Sequence, residues 1–176
     1  MKIVKSILNK NLIICFVIIS IFNSCDTNNK SNLTHHKKFY VSDSLIYKYE
    51  SNELFNGVVV DTVNNQIVTY QVKDGKKNGY FKILSLTGKQ IMAGNIVDNK
   101  NEGEWTYYYD DGSLESIGFF KNDKPDSLWY WYYPDSTLKE KGYFLQGKRV
   151  GDWYSYDKNG KIIKKQAFPD TLAKSQ

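Results

Sequence analysis

Few side chains in this sequence are of the kinds that make and break bonds. Histidine occurs only at His35 and His36, and cysteine only at Cys15 and Cys25. A Ser–His–Asp or Cys–His mechanism needs a base within hydrogen-bond reach of its nucleophile. Both histidines precede the aromatic, turn-rich body of the chain, so no such base is expected there. No nearby cysteine, aspartate or third histidine completes a metal site around the pair. No Walker-type glycine loop or zinc-ligand spacing occurs either. Carboxylates are plentiful, but Asp110, Asp111, Asp135 and Asp157 stand in or beside turn-forming stretches, where aspartate is expected for backbone reasons. A paired-carboxylate hydrolase is therefore not expected. The reading is a protein that is not an enzyme, with no cofactor and no metal.

Cys25 points to a different chemistry. Three lysines, Lys2, Lys5 and Lys10, open the chain, and the apolar run Leu12–Phe22 follows. That order is the pattern of a secretory signal. A spanning helix needs about 20 apolar residues, which this run does not reach. Phe22-Asn23-Ser24-Cys25 comes next and resembles the bacterial lipobox, in which the cysteine is lipidated and becomes the new N-terminus. Phe22 stands where leucine is usual, and Asn23 is polar. A buried thiol is the other reading, but the polar stretch after Cys25 offers no core to hold one. Residues 1–24 are thus expected to be a lipoprotein signal peptide. Residues 25–40 are expected to be the lipidated cysteine and a flexible tether. The resemblance implies several acyl chains, and each buried methylene adds about 0.8 kcal/mol of membrane affinity. Cys15 leaves with the signal, so no disulfide forms in the mature chain.

The net charge of +5 comes from 24 basic and 19 acidic side chains. Removing residues 1–24 leaves 21 basic and 19 acidic groups, a net of +2. Arg149 is the single arginine. That pattern lacks the concentrated positive surface of a nucleic-acid protein, so no nucleic acid is expected as a partner. The 14 Tyr, 9 Phe and 4 Trp favour strands, where wide rings pack across a pleated surface.

The body of the chain repeats. Gly79, Gly103, Ser127 and Gly151 stand 24 residues apart, and two places on come Phe81, Trp105, Trp129 and Trp153. Leu84, Tyr108, Tyr132 and Tyr156 form a third column, Gly88, Gly112, Ser136 and Gly160 a fourth, and Ile96, Phe120, Phe144 and Phe168 a fifth. A degenerate unit begins at Gly57, 22 residues before Gly79. Each unit decodes as one hairpin. The strand Glu104–Tyr109 is followed by the turn residues Asp110-Asp111-Gly112 and the return strand Leu114–Phe120. Asn122–Pro125 then leads into the next unit, as Gln146–Arg149 does one repeat later. The expected fold is all-β: an elongated single-layer antiparallel sheet of tandem ~24-residue hairpins over residues 41–172, with 173–176 as a tail. The stretches 45–49 and 54–60 read as an N-terminal cap. Lys161–Lys165 and Pro169 read as a blunted far edge.

Which rings face outward depends on the turn. A type I turn with a bulged glycine is preferred, because Pro134 stands where such turns favour proline. It pairs Tyr108 near Leu114 and Tyr132 near Leu138, with Trp105, Tyr107, Trp129, Trp131 and Trp153 on the other face. A plain two-residue turn would instead set each tryptophan opposite a glycine such as Gly118 or Gly142.

These units resemble MORN-type repeats in the bacterial YwqK-like variant, a loose family that carries an antitoxin label. The match rests on Asn101–Trp105 with Tyr107–Gly112, and on Gly147–Trp153 with Asn159-Gly160. Ser127 and Ser136 replace glycines and put the turn geometry of their unit in doubt. The resemblance covers about Phe55 to Phe168. It implies an elongated hairpin array used for protein or membrane contacts. The expected function is a non-enzymatic, membrane-anchored lipoprotein of the cell envelope that binds an unidentified envelope protein. Trp105, Tyr107, Trp129, Trp131 and Trp153 are its candidate binding face, since interfaces favour Trp and Tyr. Carbohydrate binding through the same rings is the alternative, and an antitoxin or immunity-like role follows from the family name alone. Asp26 after the cysteine favours inner-membrane retention under the enteric sorting rule. The Lys-, Asn- and Ile-rich composition points away from enteric proteins, so the outer membrane is expected.

Overall fold

A computed structural model describes residues 38–170. The expected signal peptide, the lipidation site Cys25 and nearly all of the tether lie outside those residues, as does the C-terminal tail. The first strands are β1 (Phe39–Ser42), β2 (Leu45–Lys48), β3 (Gly57–Val63) and β4 (Gln66–Lys73). Next come β5 (Lys76–Ser85), β6 (Gln90–Val97), β7 (Lys100–Tyr108) and β8 (Leu114–Lys121). The last are β9 (Lys124–Tyr132), β10 (Leu138–Leu145), β11 (Lys148–Tyr156) and β12 (Ile162–Phe168). Strands β3 to β12 form one ten-stranded antiparallel sheet in chain order, while β1 and β2 pair only with each other. The all-β array of consecutive hairpins is what the repeat and its turn residues demand.

The expected cap divides in two. Residues 45–48 belong to the β1–β2 hairpin, which starts at Phe39, inside the stretch assigned to the tether. The Ile46 N–H donates to the Gly75 carbonyl at 2.8 Å, and Ile46 is buried. Residues 57–63 are instead the first edge strand of the large sheet.

Two kinds of turn join the strands of the large sheet, and they alternate from β4 onward. Asn64-Asn65, Asp98-Asn99 and Asn122-Asp123 each place both residues at φ of 49–67°, as type I′ hairpins require. Asp74-Gly75 and Gln146-Gly147 also place both residues at positive φ, with glycine second at 74° and 86°. The segments after Lys121 and Leu145 are therefore tight turns, not leads into the next unit. The I′ twist matches that of the strands, so the strands run right up to the turn. Those of the large sheet reach 7–10 residues, longer than the six that the aromatic runs indicate. The second kind of turn is longer. The Tyr109 N–H donates to the Ser113 carbonyl, the Gly112 N–H donates to the Tyr109 carbonyl (both 2.9 Å), and Gly112 has φ 94°. This is the type I turn with a bulged glycine. Ser127 and Ser136 adopt φ of 60° and 66°, so both serines keep the glycine geometry of the other units.

Both registers weighed for the turn occur, on successive stretches of the same hairpin. Tyr108 faces Leu114 and Tyr132 faces Leu138. The register then slips between Tyr107 and Tyr108, where Glu115 is the extra residue, and Trp105 faces Gly118. A matching slip at Lys139 sets Trp129 opposite Gly142. A larger irregularity separates consecutive repeats. Ala93 faces Thr106 while Asn95 faces Glu102, leaving Gly94 alone against the three residues Gly103, Glu104 and Trp105. Gly118 and Gly142 stand in the same relation to 127–129 and 151–153. Surplus residues on one strand bend it and deepen its twist.

Candidate functional site

The structure gathers Trp105, Tyr107, Trp129, Trp131 and Trp153 on one face of the sheet, as the alternation requires, and that face is the interior. The five rings are between 1% and 6% exposed. The expectation of a solvent-facing binding surface made from them is corrected: they are the core. The physical reason lies in the glycines. Gly94, Gly118 and Gly142 each lie beneath the indole of the next repeat, Trp105, Trp129 and Trp153, at a distance where no Cβ fits. Each indole therefore lies flat on the sheet instead of standing up from it. Its Nε1–H donates to a backbone carbonyl ten residues earlier: Trp105 to Asn95, Trp129 to Phe119 and Trp153 to Tyr143, each at 3.1 Å.

The flat indoles join into a continuous row of rings. Phe81 meets Trp105 at 5.6 Å between centroids, Trp105 meets Phe120 at 5.9 Å, and Phe120 meets Trp129 at 5.3 Å. Trp129 meets Phe144 at 5.9 Å, Phe144 meets Trp153 at 5.0 Å, and Trp153 meets Phe168 at 6.0 Å. The tilted and edge-on arrangements suit the ring quadrupoles, and such pairs add about 0.5–1.5 kcal/mol each beyond burial.

Polar ties join the repeats along both long margins. At the short turns, the Asn99 side chain accepts from the Lys77 N–H and Asp123 accepts from the Asn101 N–H, both at 2.7 Å. The corresponding turn residue in the next unit is Gly147, which has no side chain to accept with. The residue it meets is Pro125, which has no N–H to donate, so that side-chain bond is missing and the turn is tied by the Gly147 N–H to the Pro125 carbonyl at 2.7 Å and by the Gln146 N–H to Asp126 Oδ1 at 3.2 Å. At the long turns, the hydroxyls of Tyr109 and Tyr133 donate to the carbonyls of Tyr132 and Tyr156 at 2.7 and 2.9 Å. None of these roles is read from the sequence above. Gly94, Gly118 and Gly142 do form a further 24-residue column, and that column was the available signal.

Charge reaches the inner face at two places. Arg149 Nη1 lies 3.7 Å from Glu140 Oε1, and its guanidinium sits 3.8 Å over the Trp153 ring. Desolvation outweighs the neighbouring cations and holds the Glu140 carboxyl above its ordinary range, while burial lowers Arg149. Lys77, three repeats earlier than Arg149, lies 5.3 Å from the Tyr70 ring centroid. Burial depresses its ammonium pKa from 10.5 to about 8, against a smaller opposing pull from Asp123. Between these two values the unfolded chain binds more protons at Lys77 than the folded one, so this group makes stability rise with pH across that window. Thermal midpoints should therefore climb from pH 7 to pH 9.5, and Lys77→Met should be more stable than the parent at pH 7 and flatten the climb. Parallel pH profiles for parent and variant would contradict this. Tyr70, whose hydroxyl is raised chiefly by burial, acts in the opposite direction at still higher pH.

The outer face carries what the inner face does not. One row of directly opposed residues crosses all ten strands, from Val60 on β3 through Thr106 on β7 to Tyr130, Lys141, Tyr154 and Lys165 on β9 to β12. Lys141 and Lys165 approach the Tyr154 ring at 5.9 and 5.5 Å. Beside this row Tyr80, Phe119 and Tyr143 are 40%, 43% and 52% exposed. Among the described residues, no group of three or more His, Cys, Asp or Glu side chains gathers to hold a metal.

Fold and surface together define an open β-hairpin repeat protein that presents a broad outer face on a close-packed aromatic core. Residues 101–122, 125–146 and 149–168 match the model of the MORN repeat variant, three matches in tandem. The hairpin fold continues N-terminally into β3 to β6, and the column pattern into β5 and β6. MORN repeats are generally interaction modules and generally non-enzymatic. No curated protein sequence matches the chain. Among solved structures, the crystal structure of accessory secretory protein 1,2 and 3 in Streptococcus pneumoniae is similar at 12% identity, with a TM-score of 0.33. The similarity covers 78% of this chain and 24% of that chain, so this chain spans about a quarter of its length.

Proposed function

We propose that this is a non-enzymatic lipoprotein of the cell envelope, anchored through Cys25, whose repeat array holds a protein partner on the outer face of the sheet. The observation that carries the reading is the division of the aromatic side chains. The indoles and most phenylalanines are used up in the core, yet Tyr80, Phe119 and Tyr143 stay exposed on the regular outer face. Aromatic rings at interfaces supply large contact area at low entropic cost. The cysteine after the apolar run and the signal-like start support the anchor and the envelope location, with the outer membrane as the expected site.

The carbohydrate alternative loses the rings it rested on, because a sugar cannot stack on indoles already covered by the sheet and its neighbours. It would have to use Phe119 and Tyr143 instead. In-cell crosslinking and pull-down should compare the parent with Phe119→Ala/Tyr143→Ala, a variant that leaves the core intact. The expected result is an envelope protein captured by the parent and lost from the variant. Identical capture profiles would move the interface off this face, and binding of a glycan by the parent alone would replace the protein reading.

A further inference from the structure

The large sheet has two edge strands, β3 and β12, at opposite ends of the ribbon, and neither has a second neighbour among the described residues. Edge strands expose a row of unpaired N–H and C=O groups, and proteins ordinarily blunt them with lysines, prolines or bulges. β12 is blunted in part: Lys164 and Lys165 lie on it and Lys161 lies just before it. β3 is not. Its sequence is Gly-Val-Val-Val-Asp-Thr-Val, without lysine or proline. Its pairing with β4 is the only one in the large sheet with no register slip, so no bulge turns its outer edge away. The β1–β2 hairpin docks on the Gly75 turn and leaves Val58 and Val60 at 49% and 66% exposure. This is an edge ready to accept a strand.

We propose that copies of this chain join head to tail, the free edge of β3 in one copy pairing antiparallel with the free edge of β12 in the next. Two observations select this occupant. The first is phase. Odd-numbered strands of the large sheet all run one way and even-numbered ones the other, so β3 after β12 continues the alternation and keeps inner face next to inner face. The second is register. Val60 and Lys165 are the two ends of the row that crosses all ten strands. Continuing it sets Lys165 opposite Val60 of the next copy, Ala167 opposite Val58, and Lys164 opposite Asp61. An opposite-charge pair therefore falls directly across the junction. A heterologous contact of this kind adds copies in series, as an open row or a closed ring, instead of forming a two-fold dimer. The inference is independent of which surface holds a protein partner.

The test uses the full-length chain in cells, with a short bis-maleimide and with the parent chain as the control for its own cysteines. Two differently tagged copies, one Val58→Cys and the other Ala167→Cys, are expressed alone and together. A mixed adduct should appear only when both are present, and the Val58→Cys/Ala167→Cys double variant should give a ladder of multimers. Val60→Lys, which puts a charge on the free edge without touching the core, should abolish the ladder while leaving the circular dichroism spectrum unchanged. A dimer from Val58→Cys alone would replace the head-to-tail arrangement with a two-fold one. No adduct in any combination, from cysteines that a monofunctional maleimide does label, would overturn the proposal.

Discussion

Replacing Gly118 by alanine should destabilise the protein by about 3 kcal/mol, the upper end of the usual range for forcing extra atoms into a filled interior. The residue has an ordinary backbone conformation, so the effect is one of space alone. Its missing side chain is the floor on which the Trp129 indole lies, and an added Cβ would overlap the shared edge of the two indole rings. Neither partner can easily give way. The backbone is held by the pairing of Gly118 with Trp105 on one side and of its neighbours Ile117 and Phe119 with β9 on the other, and the indole is held by its 3.1 Å bond to the Phe119 carbonyl and by Phe120 and Phe144. Urea unfolding followed by far-ultraviolet circular dichroism would measure the loss. Gly112→Ala is the contrasting case. That glycine has φ 94° and open space around its Cα, so its penalty is conformational, about 1–2 kcal/mol. A double-mutant cycle adding Trp129→Phe should recover part of the Gly118→Ala loss, because a smaller ring frees the floor. Equal effects of Gly112→Ala and Gly118→Ala, with no coupling to Trp129, would contradict this account.

Trp129→Ala should cost about 3–5 kcal/mol, as expected for truncating a fully buried large aromatic ring. The loss should also be uneven along the ribbon. Trp129 contacts Tyr107 and Phe120 from the preceding unit, Trp131 from its own strand and Phe144 from the strand that follows. In a repeat array, stability is approximately the sum of unit terms and nearest-neighbour interfaces, so removing one interface uncouples the units on either side. Hydrogen exchange should therefore show β9 to β12 opening well before β4 to β6 in the variant, where the parent protects both more evenly. A uniform loss of protection along all ten strands would mean that the array unfolds as one body and that the ring row does not partition it.

Much of the architecture was legible because its causes are local. The 24-residue period, the Asx and glycine residues of the turns and the dense aromatic content each act within a few residues of where they stand. Together they specify hairpins in tandem, and tandem hairpins can bury their rings only against one another. The same columns set the strand order and place Trp105, Tyr107, Trp129, Trp131 and Trp153 on a single face. Ser127 and Ser136 cast doubt on one unit, yet each holds the positive φ of the glycines it replaces, because the flanking units hold the chain on both sides.

The orientation of that face was not local. Whether five aromatic rings form a surface or a core depends on whether they stand up from the sheet or lie down on it. Glycine columns at 94, 118 and 142 decide this, and each acts on a tryptophan eleven residues further along, in the next repeat. The register that lays each tryptophan over its glycine comes from the irregularity between repeats, where one glycine stands against three residues of the next strand, and that irregularity belongs to the pair of strands. The sequence by itself therefore determined the repeat, the turns and the sharing of one face. Only the tertiary structure decided that this face is the interior, because an irregularity in pairing and the space left by a missing Cβ are properties of two strands together and not of either one alone.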